Sequence, residues 1–351
     1  MPPVNAQRLV IESPARLDKV VVSFEGVGSR EKARQAIARG KVFVGGAVAT
    51  PADGGAVLAP GTVVELFMDR PGTSAEHAKA RRAMVDNDVR ILFEDDAILA
   101  IDKPAGLLTD AATREQREGP TARNAVNRYL KAAGGRAFVV HRIDRDTSGI
   151  VLFAKSKEAE DALKHQFETH TPERVYWLLV RGTPEPPTGI WADWMRWNGP
   201  QRIQELCDEG AEGAVLARAQ YHTTRIFRGR GPSVSELEVQ LVTGRRNQIR
   251  LHAGSRDHAL LGERLYDRPD VRGSRTAWLP DGVQLGRQAL HAARLTVVHP
   301  TTQEKLTLTS PLPADLRAAL AVLEASREVE VLTGKRRPLP PEPPRGRRPA
   351  R

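Results

Sequence analysis

The 351-residue chain has a single cysteine, Cys207, so it can form neither an internal disulfide nor a cysteine-rich metal site. That fits a reducing compartment. Aromatic residues are scarce, at 5%, and nowhere do about 18 uncharged apolar residues follow one another, as a membrane-spanning helix requires. The N-terminus MPPVNAQRLV lacks the charged-then-apolar layout of a secretory signal. A cytoplasmic protein with no membrane association is expected. Acidic side chains are in deficit, with 53 Lys plus Arg against 43 Asp plus Glu and a formal net charge of +10. Such a field attracts polyanions, and nucleic acid is the natural candidate. With 40% hydrophobic residues over this length, the chain can bury one sizeable core and a satellite domain.

Residues 1–15 are polar and without period, an N-terminal extension. From 16 to 70 the chain reads as a small α/β module. RLDKVVVSFEG opens a first helix, and SREKARQAIARG a second, with Ser29 as N-cap, Ala33, Ala36 and Ile37 on one face, and Gly40 at the C-cap. KVFVGG and TVVELF alternate as half-buried strands do. The charged, weakly patterned stretch 71–88 reads as a linker.

A larger domain, 89–325, follows. VRILFEDDAILAIDKPAGL reads as two strands around an acidic turn, and GIVLFAK, RVYWLLVRG, EGAVLARAQYHTTRI, SELEVQLV and ALHAARLTVVHP as further strands. TARNAVNRYLKAAG, EAEDALKHQFETH and ADLRAALAVLEA read as helices. Strands often succeed each other directly, which points to an α+β class with a mixed, largely antiparallel sheet flanked by helices. Beyond 326 the chain becomes rich in proline and base, and residues 335–351 hold seven Lys or Arg against one Glu. A disordered tail is expected over 326–351, either an arm for polyanions or a solvated remnant.

The chemistry concentrates at HRIDRDTSGIVLFAK, residues 141–155, where Asp144 and Asp146 lie among His141, Arg142 and Arg145. On an extended segment the two carboxylates share a face, whereas in a turn only one points into a cleft. Periodicity does not choose between them. Two flanking carboxylates are the equipment of glycosidic bond hydrolysis; the plainer alternative is a polar loop whose Asp and Thr side chains cap the backbone.

HRIDRDTSGIVLFAK resembles the HRLD-x-x-TSG signature of the RluA-type pseudouridine synthases. Three further stretches are similar to family segments in the same order: VRILFEDDAILAIDKPAGL, with its Lys-Pro-x-Gly; ERVYWLLVRG, with its tyrosine; and LVTGRRNQIRLHA, similar to TGR-x-x-Q-I-R-x-H. RQALHAARLTVVHPTTQEKLTLTSPLPADL is similar to the C-terminal strand pair. Residues 16–68 are similar to the small RNA-binding domain named after ribosomal protein S-four.

The resemblance implies an RNA pseudouridine synthase, an isomerase that needs no cofactor and no metal. It implies Asp144 as the catalytic carboxylate, Asp146 in the variable pair before TSG, Tyr176 against the target uracil and assisting final deprotonation, and Arg250 paired with Asp144. Arg142, His141 and Leu251 would meet the substrate, Arg142 filling the place of the flipped nucleotide and Leu251 lining the uracil pocket. In the N-terminal domain, Arg16, Ser29, Arg30, Lys32 and Lys41 would meet RNA. Arg245 and Gln248 would shape their loop. Ribosomal RNA is the expected substrate, transfer RNA the alternative, and a non-catalytic RNA-binding assembly factor the rival of another class. A monomer is favoured. Three departures from the family pattern, Arg174, Arg246-Asn247 and GERLYD with Glu263 and Asp267, fall where an RNA partner would be read.

Overall fold

Short alternating runs build the first sheet. The computed structural model describes residues 7–38, 40–67, 89–111, 119–131, 135–267 and 277–333; the expected linker 71–88 and the chain beyond 333 lie outside them. The strands of the N-terminal module are β1 (Gln7–Val10), β2 (Ala15–Arg16), β3 (Val42–Val44), β4 (Ala47–Val48), β5 (Val57–Leu58) and β6 (Val63–Leu66). The sheet order is β1-β6-β3-β4, antiparallel throughout, with β2 pairing β5 apart from it. Helices α1 (Leu17–Val22) and α2 (Arg30–Ala38) cover this sheet's core, in which Leu17, Val21, Ala33, Ile37, Val42, Val64 and Leu66 are buried. The helix stops are those expected. Ser29 Oγ accepts from the Lys32 N–H at 3.2 Å, and Gly40 takes a left-handed φ of 63° while the Lys41 N–H returns to the Ala36 carbonyl.

The chain divides into two compact units. The first holds this module, residues up to Ile143, Ile150–Glu168 and Val298–Lys305; the second holds Asp144–Gly149, Thr169–Val297 and the residues from Leu306. In the first unit, β7 (Arg90–Glu94) and β8 (Ile98–Lys103) form the expected hairpin, its turn set by Asp95 Oδ1, which accepts from the N–H groups of Ala97 and Ile98. Lys103 is fully buried, its ammonium donating to the carbonyls of Pro104 and Leu107 at 2.8 and 2.7 Å. That explains the lysine of the Lys-Pro-x-Gly segment, which ties the bend. Then come α3 (Ala122–Lys131), β9 (Phe138–Val139), β10 (Ser148–Ala154) and α4 (Lys157–Glu168).

The second unit is mostly antiparallel sheet. Its strands are β11 (Glu173–Arg181), β12 (Thr188–Asn198), β13 (Ile203–Leu206), β14 (Val215–Arg228) and β15 (Val234–Leu241), then, after α5 (Gln248–Gly254), β16 (Leu290–Val298) and β17 (Lys305–Thr309). Helix α6 (Ala314–Ser326) and β18 (Glu328–Val331) close the described chain. The order is β13-β12-β14-β15-β11-β16. Leu316, Ala319 and Leu323 of α6 pack with Trp177, Leu179, Phe227, Val234 and Leu261 on one face of that sheet. The α+β expectation is borne out. Among the described residues no helix is long and apolar enough to cross a membrane.

Two stretches differ from their expected reading. Residues 188–206 form the β12–β13 hairpin, whose connection 199–202 is closed by the Arg202 N–H donating to the Gly199 carbonyl at 3.2 Å. Residues 326–331 correct the expectation of disorder from 326: Ser326 closes α6, and Glu328–Val331 pairs antiparallel with Arg225–Arg228. The reason is local, because EVEV alternates as a strand and sets Glu330 within 2.9 Å of Arg228.

The start of β10 explains the TSG motif. Ser148 and Gly149 run parallel to His291 and Ala292 of β16. A Cβ on Gly149, whose φ is 113°, would stand 2.3 Å from the Ala292 carbonyl oxygen. Both the angle and the approach demand glycine. Gly149→Ala should therefore destabilise by about 2–4 kcal/mol, through strain and forced separation of backbones. Gly106→Ala, at a φ of 83° with nothing within 4 Å of its Cβ, should cost about 1 kcal/mol. Urea unfolding of both variants checks this, and equal losses would show that the β10–β16 approach carries no special constraint.

Candidate active site

The turn before β10 carries Asp144. It is closed by the Thr147 N–H donating to the Asp144 carbonyl at 3.2 Å, and is then held by Arg287. That buried guanidinium donates from Nη1 to the Asp146 carbonyl at 3.2 Å and from Nη2 to Ser148 Oγ at 3.2 Å. Ser148 Oγ also shares a 2.9 Å hydrogen bond with His291 Nδ1. Nε2 of that imidazole lies 3.2 Å from the Ser310 carbonyl, which only accepts, so in the neutral ring Nε2 carries the proton and Nδ1 accepts from serine. Arg287 is fixed in turn by Asp315 in the first turn of α6, with Nε and Nη2 donating at 2.7 and 3.1 Å. Burial works against ionisation of Asp315, but Arg287 outweighs it and holds the carboxyl below its ordinary range. Asp146 thus serves the turn through its backbone.

Tyr176 reaches the same place from β11. Ala292 of β16 is in register with Gly149 on one side and Tyr176 on the other, and β11 bulges between Val175 and Tyr176. The phenol is buried, which pushes its pKa up to about 12; Arg174 opposes this, and the Asp144 charge adds to it. Tyr176 is a neutral phenol at physiological pH. It can relay a proton through its oxygen, whereas a phenolate base is disfavoured there.

The third member comes from α5. Asn247, at a left-handed φ of 51°, starts the helix, and Gln248 locks the loop before it: Oε1 accepts from Thr243 Oγ1 and the Arg245 N–H at 2.9 Å each, and Nε2 donates to the Arg218 carbonyl at 3.0 Å. Arg250 then forks onto Glu263, Nε to Oε2 and Nη2 to Oε1, both at 2.7 Å, while Nη1 donates to Asn247 Oδ1 at 3.1 Å. Glu263 Oε1 also accepts from the N–H groups of Arg264, Leu265 and Tyr266. Burial disfavours charge on Arg250, but Glu263, and beyond it Asp144, more than offset this and raise its pKa. Asp144 therefore acts electrostatically on both Tyr176 and Arg250. No local pattern in the sequence points to the fork of this guanidinium onto Glu263, thirteen residues further along the chain. Gly254 lets this segment approach, since a Cβ there would stand 2.1 Å from the Tyr266 carbonyl oxygen.

The remaining expected residues scatter. Arg142 is exposed and, among the described residues, forms no ion pair. His141, expected among the substrate contacts, is engaged within the first unit: Nε2 accepts from the Leu152 N–H at 2.9 Å and the ring stacks on Phe167 at 4.7 Å. Leu251, expected to line the uracil pocket, is buried with Met195, Ala217 and Tyr266, because α5 turns that face inward. Arg16 pairs with Asp18 at 3.1 Å, and Ser29, Arg30 and Lys32 are exposed on the N-terminal module. Lys41 corrects its expectation by being buried, its backbone joining Ala36 to Phe67. Arg287 was not singled out from sequence; its place just before the strand of LHA was the only cue. Among the described residues, no group of three or more His, Cys, Asp or Glu side chains is arranged for a metal ion.

Residues 97–255 match the family model described as RNA pseudouridylate synthase, and residues 15–53 match the S4 domain. Over 332 residues the chain is 30% identical to a "Ribosomal large subunit pseudouridine synthase D" of Pseudomonas aeruginosa, covering 90% of this chain and 94% of that one. The chain belongs to the RNA pseudouridine synthase family. A protein of the same name from Zymomonas mobilis is 31% identical, covering 89% of this chain and 94% of that one. The solved structure titled "Human RNA Pseudouridylate Synthase Domain Containing 4" shares the fold, with a TM-score of 0.55 at 21% identity over 73% of this chain and 98% of that chain. As a pseudouridine synthase, the protein is an isomerase acting on RNA.

Glu263 offers a test of how this synthase holds its site. Burial pushes its carboxyl up, but the hydrogen bonds and charge of Arg250 outweigh that and hold it below the usual carboxylate range. A depressed carboxylate contributes stability that is complete above the unfolded pKa and is lost as pH falls through the folded one. Glu263→Gln should therefore lose about 3–5 kcal/mol at pH 7, the cost of breaking a buried pair from one side. The gap from the unmodified protein should narrow in acid, at about pH 3. Urea unfolding at the two pH values checks it; a pH-independent gap would mean that shape, not charge, holds Glu263.

Proposed function

We propose that this isomerase converts specific uridines of ribosomal RNA to pseudouridine, with Asp144 as the catalytic carboxylate. The reaction breaks the bond from the base nitrogen to the sugar, turns the uracil and rejoins it through carbon; the carbon loses its proton and the nitrogen gains one, so nothing is oxidised or reduced. One ionised carboxylate beside the sugar is its main need. The observation that carries the assignment is that Asp144 stands in the electrostatic surroundings of both Tyr176 and Arg250, on a turn braced by Arg287.

In this reading Arg250, held by Glu263, is a cation that favours the ionised form of a nearby carboxylate. Tyr176 packs against the uracil and relays its final proton as a neutral phenol. Arg142 enters the RNA in place of the extracted nucleotide, a task that suits a planar guanidinium and is supported by its exposure without an ion-pair partner among the described residues. The N-terminal module meets phosphates through Arg16, Arg30 and Lys32. Ribosomal RNA is supported by the names of relatives that match along most of their length. A non-catalytic assembly factor is disfavoured, because a carboxylate facing a polyanion weakens binding.

Mapping pseudouridine in a strain lacking this chain tests the proposal. Sites should vanish from large-subunit ribosomal RNA, return with the unmodified chain, and return poorly with Arg142→Ala, because unstacking a uridine costs a few kcal/mol. Loss confined to transfer RNA, or no loss at all, would overturn it.

A further inference from the structure

Trp197, in β12, is large and apolar yet keeps 42% of its surface exposed. It is not bare. The guanidinium carbon of Arg246 lies 4.3 Å from its ring centroid, within cation–π range, and Arg246 is exposed too. The pair has a rigid backing. Trp197 faces Gln204 across the β12–β13 hairpin, and the Gln204 N–H donates to the Tyr266 hydroxyl at 3.0 Å. That hydroxyl also accepts from Asn247 Nδ2 at 3.2 Å, and Asn247 Oδ1 accepts from Arg250 at 3.1 Å. A chain of hydrogen bonds thus runs from the hairpin that carries Trp197 to the arginine of the candidate site.

The exposed charge nearby is mixed: Glu212 is exposed and acts on Arg196 beside Trp197, and several arginines are exposed as well. Arg245 and Arg202 are exposed, whereas Glu205, the acid on the hairpin, is occupied by Arg196 at 2.7 Å and Asn198 at 2.9 Å. An exposed ring and guanidinium, with further arginines beside them, offer a base a π-face and its phosphate a cation.

We propose that Trp197 and Arg246 form a stacking platform for one unpaired nucleobase flanking the target uridine, its phosphate met by Arg245 or Arg202. This rests on the reading of the protein as an RNA pseudouridine synthase. The test uses the full chain and a stem-loop carrying a modified uridine site, intact or with one flanking nucleotide made abasic in turn. Equilibrium binding is measured for the unmodified protein, Trp197→Ala, Trp197→Phe and Arg246→Ala. Trp197→Ala should weaken binding of the intact RNA by about 10-fold, as loss of one base–aromatic stack does, with Trp197→Phe recovering part of it. One abasic position should weaken the unmodified protein equally and leave Trp197→Ala unaffected, as two changes to one contact must. Undiminished binding by Trp197→Ala, or the same loss with every abasic RNA, would overturn the platform. Absence of pseudouridine formation by the unmodified protein would sink the activity reading instead, and the binding series would still decide the platform.

Discussion

A reacting carboxylate needs a cation close enough to favour its charge and held firmly enough not to collapse onto it. In the proposed reading, the fork of Arg250 on Glu263 meets that need for Asp144. Two charge-assisted hydrogen bonds fix the guanidinium plane, and Glu263 is itself fixed by three backbone N–H groups of its own turn. Its side chain is wholly buried, with that of Arg250 13% exposed. The pair therefore sets geometry more than net stability, since desolvation consumes much of what the attraction supplies. What surrounds it follows. Tyr266 lies under the guanidinium and ties the β12–β13 hairpin to α5, and Gly254 permits the close approach of α5 to that turn.

The same arrangement recurs on the other side of Asp144. Arg287 grips the Asp144–Ser148 turn through a carbonyl and a hydroxyl, and its own charge is matched by Asp315 on α6. Arg250 and Arg287 each have a carboxylate partner outside the Asp144–Ser148 turn. The acid of the turn thus has cations in its surroundings whose positions are set elsewhere, which is the second-layer support that a preorganised site requires.

Much of this was legible in sequence, for stated reasons. Ser29 and Gly40 delimit α2 because capping is local chemistry, and the turn at Asp95 was legible as an acidic break between alternating strands. The TSG motif was visible as a pattern, but its cause, the meeting of Gly149 with Ala292, joins residues far apart in the chain. Long-range partners were the general failure. Glu263, Arg287 and Asp315 carry no local signature of what they hold, and Lys41 and Leu251 read as surface and pocket because burial depends on which face a helix or strand presents. EVEV at 328–331 was hidden by the composition of the proline-rich end that follows it.

The central claim is that one carboxylate of the HRIDRD turn does chemistry and the other only builds the turn. Single-turnover formation of pseudouridine, with binding measured on the same RNA, tests it with Asp144→Asn and Asp146→Asn. The account predicts that Asp144→Asn abolishes product while RNA affinity stays within about a few fold, since the change deletes charge without shape and an anion hardly helps to bind phosphates. Asp146→Asn keeps most of the rate, because Arg287 grips its backbone carbonyl. An essential Asp146 with a dispensable Asp144 would contradict the account.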